Sequence, residues 1–373
     1  MKYVFAFIVL VHGLIHLMGF SKAFGVGQIT SLTRDISKQT GAIWLLAALL
    51  FLIAGTGYLF KKEWWPVVAA FGVVVSQILI ILSWQDAKFG TIANVIILMM
   101  AMTSRASQLF EARFREDVRT NLIQTHNDIP DLLTEQDLAS LPAPVQKYIR
   151  YTGAIGKDKV KNVRIAFEGE MRSKKMNWFK FNTVQYNFMK EPTRLFYMKE
   201  PTRLFYMKAK IFGMYVPGYH KYLNGAASMQ VKLGGLWNVV NKNGTEMDQA
   251  ETVTVLNDLC LMAPAALIDD RIRWVEIDDL TTKVVFTNRG HQISAILYFN
   301  ETGQLINFVS DDRYDISDTK RYRFSTPVMD YKSIDGRNVV AYGQAVWHYP
   351  EGEFVYGKFY LKNIEYNVRE LQD

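Results

Sequence analysis

His12 and His16 are the two side chains whose type and spacing most directly suggest chemistry. They lie four residues apart, so a helix carries both imidazoles on one face, one above the other. Two imidazoles placed this way can offer two nitrogens to zinc or copper. The pair sits in Val11-His12-Gly13-Leu14-Ile15-His16, inside an apolar stretch where ionisable groups are rare and often functional. A bis-histidine haem takes one ligand from each of two helices, and the other three long apolar runs hold no histidine. The plainer reading has neutral imidazoles hydrogen-bonded to Gln77, Asn94 or a backbone carbonyl between helices. That reading is favoured, with a metal at His12 and His16 as the alternative.

Other titratable groups offer less. Glu168, Glu170 and Arg172 alternate along one segment, as ion pairs on a solvated strand face do. Asp269-Asp270, Asp278-Asp279 and Asp311-Asp312 are adjacent pairs. Neighbouring side chains on a strand or turn point apart, so these read as helix-end and turn residues rather than as paired catalytic carboxylates. His220, His291 and His348 show no metal-ligand spacing. Cys260 is the one cysteine, which excludes an intramolecular disulfide, and its place between Leu259 and Leu261 in an expected helix argues against a thiol nucleophile. Gly234-Gly235 and Gly55-x-Gly57 lack the strand-loop-helix setting of a phosphate loop, and no Gly-x-Ser-x-Gly elbow occurs. No catalytic constellation emerges, so the reading leans away from an enzyme and identifies no cofactor and no ligand-binding residue.

The elements that would position these residues are of two kinds. Before Ser104 the 373-residue chain is nearly free of charge, and after it charges come every few residues. Four apolar runs precede that point: Tyr3 to Phe20, Gly41 to Phe60, Trp64 to Trp84 and Phe89 to Met102. Each approaches the roughly 20 residues a helix needs to cross the hydrocarbon core. The third carries Trp64, Trp65 and Trp84 at its ends, where indoles favour the interface. Ser21-Lys22-Ala23 is a small-x-small signal-cleavage pattern, but the first run is longer than a signal core and holds two histidines, so it reads as a retained span. Between the first two runs, Ser21 to Thr40 reads as an interfacial amphipathic helix or a loop.

Most of the +7 formal charge falls before Thr120, between the apolar runs. Lys2, Lys61, Lys62, Arg105, Arg113, Arg115 and Arg119 would lie on one side, against Lys22, Arg34, Lys38 and Lys88 on the other. That bias puts both termini, and the domain after the spans, in the cytoplasm of a multi-pass protein of the cell membrane. No basic block remains to suggest nucleic acid.

Ser104 to Gln124 reads as a polar helix extending the fourth span, with Leu109, Phe110, Phe114 and Val118 on one side. Two short helices follow, one capped by Thr134 and one from Val145 to Tyr151. From Lys159 the period becomes two: Val163, Ile165, Phe167, Gly169 and Met171 face one way, Arg164, Ala166, Glu168 and Glu170 the other. Further strand patterns occur at Trp178 to Phe188, Ala227 to Leu233, Ile272 to Ile277, Lys283 to Thr287, Gln292 to Phe299, Leu305 to Asp311, Val339 to Tyr349 and Phe354 to Val368. Asn288-Arg289-Gly290, Glu301-Thr302-Gly303, Asp335-Gly336 and Pro350-Glu351-Gly352 mark turns between antiparallel neighbours. One helix, Glu246 to Met262, is expected with Thr245 as its cap and Asp248 completing a capping box. The expected fold is thus a membrane α-helical bundle of about four spans (1–103), a helical neck (104–156) and an α+β domain (157–373). That domain is a large curved antiparallel sheet with a helix packed on its inner face. The last strand is apolar on both faces, which implies either two packing layers or an apolar ligand groove on the concave side.

Met189 to Tyr197 and Met198 to Tyr206 are the same nine residues. Nine is odd, so a strand running straight through would swap its faces. One copy is therefore expected to be absorbed as a bulge or extra hairpin.

Val11 to His16, Leu141-Pro142-Ala143-Pro144-Val145-Gln146-Lys147-Tyr148, Phe167-Glu168-Gly169-Glu170-Met171-Arg172, Trp274 to Asp278 and Ala345-Val346-Trp347 together resemble an uncharacterised family of bacterial membrane proteins. The C-terminal half is also similar in strand pattern to lipoprotein-carrier half-barrels, which hold acyl chains in a curved sheet. The membrane-protein family carries no established activity; the aromatic-rich curved sheet, joined to the membrane by a short helical neck, points to a membrane-tethered binding protein for an apolar ligand or lipid, partnered by the bilayer. A metal or redox enzyme at His12 and His16, and a structural subunit of a membrane complex, are the alternatives.

Overall fold

A computed structural model describes residues 2–26, 29–125, 131–189, 201–211 and 213–372. They form two compact units, Met1–Phe110 with Gly234–Leu236, and Glu111–Leu233 with Trp237–Asp373.

The first unit contains α1 (Lys2–Phe24), α2 (Lys38–Leu59), α3 (Trp65–Leu82), the short α4 (Trp84–Ala87) and the first part of α5 (Gly90–Thr125). Ser37 starts α2 by accepting the Thr40 N–H on its Oγ at 3.2 Å. Pro66 stands in the first turn of α3, where its missing N–H costs nothing. Helices α1, α2, α3 and α5 are each long and apolar enough to cross a membrane. Small residues bring α1 and α2 together: a Cβ at Gly13 would stand only 3.2 Å from the Ala48 carbonyl oxygen. The polar side chains His12, His16, Ser76 and Asn94 are buried inside, while Phe71 is 56% and Ile81 61% exposed on the outside. The described part of the stretch between α1 and α2, residues 29–37, is loop. The fourth apolar run and the polar helix after it form one uninterrupted helix, α5.

The second unit is built on strands β1 (Asn162–Ser173), β2 (Met176–Phe188), β3 (Thr202–Ile211), β4 (Met214–Leu223), β5 (Ala226–Leu233), β6 (Trp237–Asn243), β7 (Ile272–Asp278), β8 (Thr281–Asn288), β9 (His291–Phe299), β10 (Leu305–Ser310), β11 (Tyr314–Asp315), β12 (Lys320–Arg321), β13 (Arg323–Ile334), β14 (Arg337–Tyr349) and β15 (Gly352–Tyr366). Thirteen of them make one antiparallel sheet in the order β6-β5-β4-β3-β2-β1-β15-β14-β13-β10-β9-β8-β7, and β11 pairs with β12. Two meanders therefore meet where β1 pairs with β15, Ile165 opposite Ile364. The sheet curls until strands far apart in this order touch: Asn288 Nδ2 at the end of β8 donates to Tyr222 Oη on β4 at 2.5 Å. Bulges at Ala166/Phe167 and Ala345/Val346 supply local bends along β15.

Helix α7 (Thr245–Met262) lies against the concave face, where Val253, Val255, Leu256, Leu259 and Cys260 join one core with strand residues such as Ile165, Phe286, Leu297 and Phe308. Thr245 is not its cap. Gly244, at φ +102°, turns the chain out of β6 and stands at the cap position, and Thr245 is the first helical residue. The Asp248 carboxylate accepts instead the Ala227 N–H of β5 at 2.6 Å. At the other end, carbonyls left without helical partners are taken up by tyrosines. Tyr148 Oη of α6 (Ala143–Tyr151) donates to Cys260 O at 2.8 Å, and Tyr366 Oη to Met262 O at 2.9 Å. Leu133, Leu138, Leu141 and Val145 are part of the same core.

The convex face of β2–β4 is covered as well. Phe114 of α5 stacks on Tyr206, ring centroids 5.3 Å apart, and meets Tyr219 edge-on at 5.6 Å. Asp117 accepts from Tyr219 Oη at 2.7 Å and from Lys221 Nζ at 2.9 Å. These strands thus have two packing layers.

Phe188 and Thr202 are paired in the β2–β3 ladder, and residues 189–201 connect them. The second copy of the repeat supplies β3 from Thr202 onward. The first copy beyond Met189 lies outside the described residues, so the expected bulge or hairpin there does too.

Candidate functional site

Among the described residues, each unit buries a polar cluster. In the helical bundle, His12 Nε2 is 2.9 Å from Asn94 Oδ1, and His16 Nδ1 is 2.8 Å from the His12 carbonyl oxygen. Both acceptors lack a proton, so His12 carries its hydrogen on Nε2 and His16 on Nδ1. His16 Nε2 is then free to accept from Ser76 Oγ at 2.8 Å. Asn94 Nδ2 donates to Ser76 Oγ and to Gln77 Oε1, each at 3.0 Å, and Gln77 Nε2 donates to Thr91 Oγ1 at 3.1 Å. One consistent set of donors runs from Thr91 to His16 with both imidazoles neutral. Trp44 and Phe51 wall the rings, with centroids 5.2 Å from His16 and 4.9 Å from His12. The partners are Asn94 and a backbone carbonyl, and Ser76 joins them. Among the described residues no group of three or more His, Cys, Asp and Glu side chains is placed to hold a metal ion.

The second cluster lies between α7 and the concave face. Arg203 of β3 donates through Nε to Asp258 Oδ2 at 2.7 Å, through Nη1 to Glu251 Oε2 at 3.1 Å and through Nη2 to Gln185 Oε1 at 3.2 Å. Gln185 Nε2 and Asn187 Nδ2 of β2 also donate to Asp258 Oδ2, at 2.6 and 3.2 Å. His220 Nδ1 of β4 stands 3.8 Å from Glu251 Oε1. The side chains of Arg203, Glu251 and Asp258 are 9%, 5% and 15% exposed. Burial alone would raise the Glu251 carboxyl, but Arg203, His220 and Arg313 outweigh it and hold it down at about 2. Burial also works against the Arg203 charge, and Asp258 and Glu251 more than offset it.

Beside this cluster the concave face carries an apolar patch built from strands alone. Phe181, Phe205, Met207 and Ala209 are buried together, with Met171, Phe179 and Phe359 half-buried around them. The sheet accommodates these rings by omitting side chains beneath them: a Cβ at Gly169 would be 2.4 Å from Phe181 Cζ. Three polar atoms near the patch are buried without a hydrogen-bond partner: Thr183 Oγ1, Thr326 Oγ1 and Arg313 Nε.

The remaining candidates have local roles. Glu168 and Glu170 face Lys362 at 3.3 Å and Lys358 at 3.6 Å on the convex side, whereas Arg172 donates to the Val355 carbonyl at 2.6 Å. Asp269 pairs with Arg271, Asp278 accepts the Leu280 N–H, Asp311 pairs with Arg323, and Asp312 accepts from Ser294. His348 Nε2 lies 2.7 Å from Ser325 Oγ. Burial pushes the Cys260 thiol well up, away from the reactive thiolate. Arg203, Glu251, Asp258 and Arg313 were not singled out by spacing. The available signal was Glu251 and Asp258 seven apart, two turns along one face of a helix that otherwise buries apolar groups.

The profile of a family of unknown function (DUF6544) matches residues 131–359, beginning after α5. No curated protein matches the chain. Among solved structures, the chain is similar to a LolA superfamily protein from Nitrosomonas europaea, with 9% identity over 64% of this chain and 96% of that one and a TM-score of 0.36. It is also similar to a β-barrel-like protein of a domain of unknown function (DUF1849) from Brucella abortus, with 9% identity over 56% and 98% of the two chains and a TM-score of 0.17.

Proposed function

The chain belongs to that family of unknown function, and we propose, from its own geometry, that it is a multi-pass protein of the cell membrane whose curved-sheet domain binds an apolar ligand, a lipid or a molecule of lipid-like character. The observation that carries this reading is the apolar patch of the concave face whose described members all come from strands, with Phe181, Phe205 and Met207 buried and Met171, Phe179 and Phe359 half-buried around them. Helix α7 covers the rest of this face, whereas the half-buried rings Phe179 and Phe359 leave part of the patch accessible. Membrane residence is supported by the burial pattern of the bundle, polar inside and apolar outside, the reverse of a water-soluble bundle. The bias of Lys and Arg between the spans supports cytoplasmic termini.

Full-length protein in nanodiscs provides the test. Solvent extraction followed by mass spectrometry should recover lipid in excess of that from empty discs, and a fluorescent fatty acid should bind saturably. Uptake that stays linear and equal to that of empty discs would refute the binding role. A reporter fused after Asp373 checks the side of the membrane, and carbonate washing of membranes checks integration. A metal or redox centre at His12 and His16 would require His16 to give up its bond from Ser76. Metal analysis of protein from iron-, copper- and zinc-fed cells decides that alternative.

A further inference from the structure

Arg313 follows β10 and projects onto the concave face. Its guanidinium carbon lies 4.0 Å from the centroid of Phe324, 5.0 Å from Trp347 and 5.9 Å from Tyr356. Its Nη1 donates to Tyr356 Oη at 2.7 Å, and its Nε is buried with no acceptor. A guanidinium has five donors in a fixed fork, and a buried donor left unpaired costs free energy. Among the described residues no carboxylate pairs with it. Glu251 feels its charge, but the Glu251 oxygens already face Arg203 and His220. The adjoining carboxylates Asp311 and Asp312 are engaged by Arg323 and by Ser294.

The neighbourhood is continuous with the apolar patch. Tyr356 stands on β15 three residues before Phe359, whose ring meets Phe181 at 5.5 Å and Phe167 at 5.7 Å. Thr326 lies on β13 opposite Phe308 and Thr183 on β2 opposite Phe167, both facing inward. Their hydroxyls are the other two orphaned polar atoms. An apolar floor thus ends at a caged cation with an unused donor.

We infer that Arg313 is the head-group residue of the concave face, and that the ligand is an amphiphile whose anionic oxygens, of a carboxylate or a phosphate, meet its guanidinium while the chain lies over the half-buried Phe359 at the rim of the apolar patch. This rests on the apolar-ligand reading above. A planar fork of donors suits either head, and aromatic walls exclude water and strengthen the pairing. The geometry disfavours a neutral head, which would pair less strongly with the guanidinium than an anion does.

Binding of dodecanoate, dodecyl phosphate and dodecanol to the full-length protein in nanodiscs, against empty discs, tests it. Wild-type protein should bind one or both anionic probes saturably and at least about tenfold more tightly than the alcohol. Arg313→Met should erase that preference and leave dodecanol binding unchanged. Which anionic probe loses affinity identifies the head group. Equal binding of all three probes, unaltered by Arg313→Met, would overturn the inference and leave the apolar-ligand reading standing. Saturable binding of none would overturn both. Where Arg313→Met does not fold, Arg313→Lys replaces it: reduced preference for the anionic probes supports the assignment, and an unchanged preference overturns it.

Discussion

Replacing Arg203 by methionine isolates the energetics of the cluster beneath α7. Arg203 reaches Asp258, Glu251 and Gln185 with three nitrogens at 2.7, 3.1 and 3.2 Å. Methionine keeps most of the stem but leaves Glu251 and Asp258 facing each other with little solvent, their side chains 5% and 15% exposed. Removing one partner of a buried ion pair costs about 3–5 kcal/mol, because the remaining charge is desolvated without compensation. For a unit of this size each kcal/mol lowers the melting temperature by about 2–4 °C, so a fall of about 6–20 °C is expected. Intrinsic fluorescence during heating in nanodiscs reads it. The triple variant Arg203→Met, Glu251→Gln, Asp258→Asn should recover part of the loss, since neither carboxylate is then stranded. The pH dependence has a defined sign. Folded Glu251 is held at about 2, from an ordinary value of 4.5. Its contribution is therefore complete above about 4.5 and disappears as the pH falls through about 2. Without Arg203 the largest of the influences that lower the carboxyl is gone and only His220 and Arg313 oppose burial, so acid should narrow the gap between variant and wild type. An Arg203→Met protein melting within about 2 °C of wild type at neutral pH would refute the reasoning.

Deleting one nine-residue copy should leave the β2–β3 ladder intact and shift the melting temperature by no more than about 2 °C, within the range typical of surface changes. Loss of folded protein would contradict this. Gly169→Ala should lower the stability of the sheet domain by about 1–3 kcal/mol, since the added carbon would stand 2.4 Å from the Lys358 carbonyl oxygen, which cannot rotate away. Thermal unfolding checks it. Imidazole nitrogen NMR should show the proton of His12 on Nε2 and that of His16 on Nδ1, both rings neutral near pH 7. Asn94→Leu should release the His12 tautomer while costing only about 0.6–1.7 kcal/mol, as hydrogen bonds between membrane helices do.

Much of the architecture was visible in the residue pattern because single elements carry their own signal. The apolar runs announced four long helices, and Arg289-Gly290 and Asp335-Gly336, all at positive φ, close hairpins where the turn residues required them. The expected helix 246–262 is α7. Three longer strands escaped notice for definable reasons, beside the two-residue β11 and β12. Strand β4 contains Pro217 and Gly218, which weaken a strand pattern. Strand β6 is an edge, exposed on both faces and hence without alternation. Strand β13 contains Pro327, with register shifts just beyond it at Val328/Asp330, so its period breaks in the middle. Of the polar clusters, the bundle network was half legible, since Asn94 and a backbone carbonyl were anticipated and Ser76 was not. The cluster beneath α7 was not legible, because Arg203 meets Glu251 and Asp258 only once a strand and a helix about 50 residues apart in sequence have packed.

The pairing of β1 with β15 bears on how the domain is made. The first strand of the sheet waits for the last, some 200 residues later, before its free edge is closed. Each meander can form as it leaves the ribosome, but their union must wait until β15 has emerged and is slow by topology. Until then β1 and β14 offer unpaired backbone to any neighbouring chain. A polypeptide released before Gly352 would keep both edges open permanently. Strand β15 therefore closes the sheet, and truncation before Gly352 should turn a folded domain into an aggregating one.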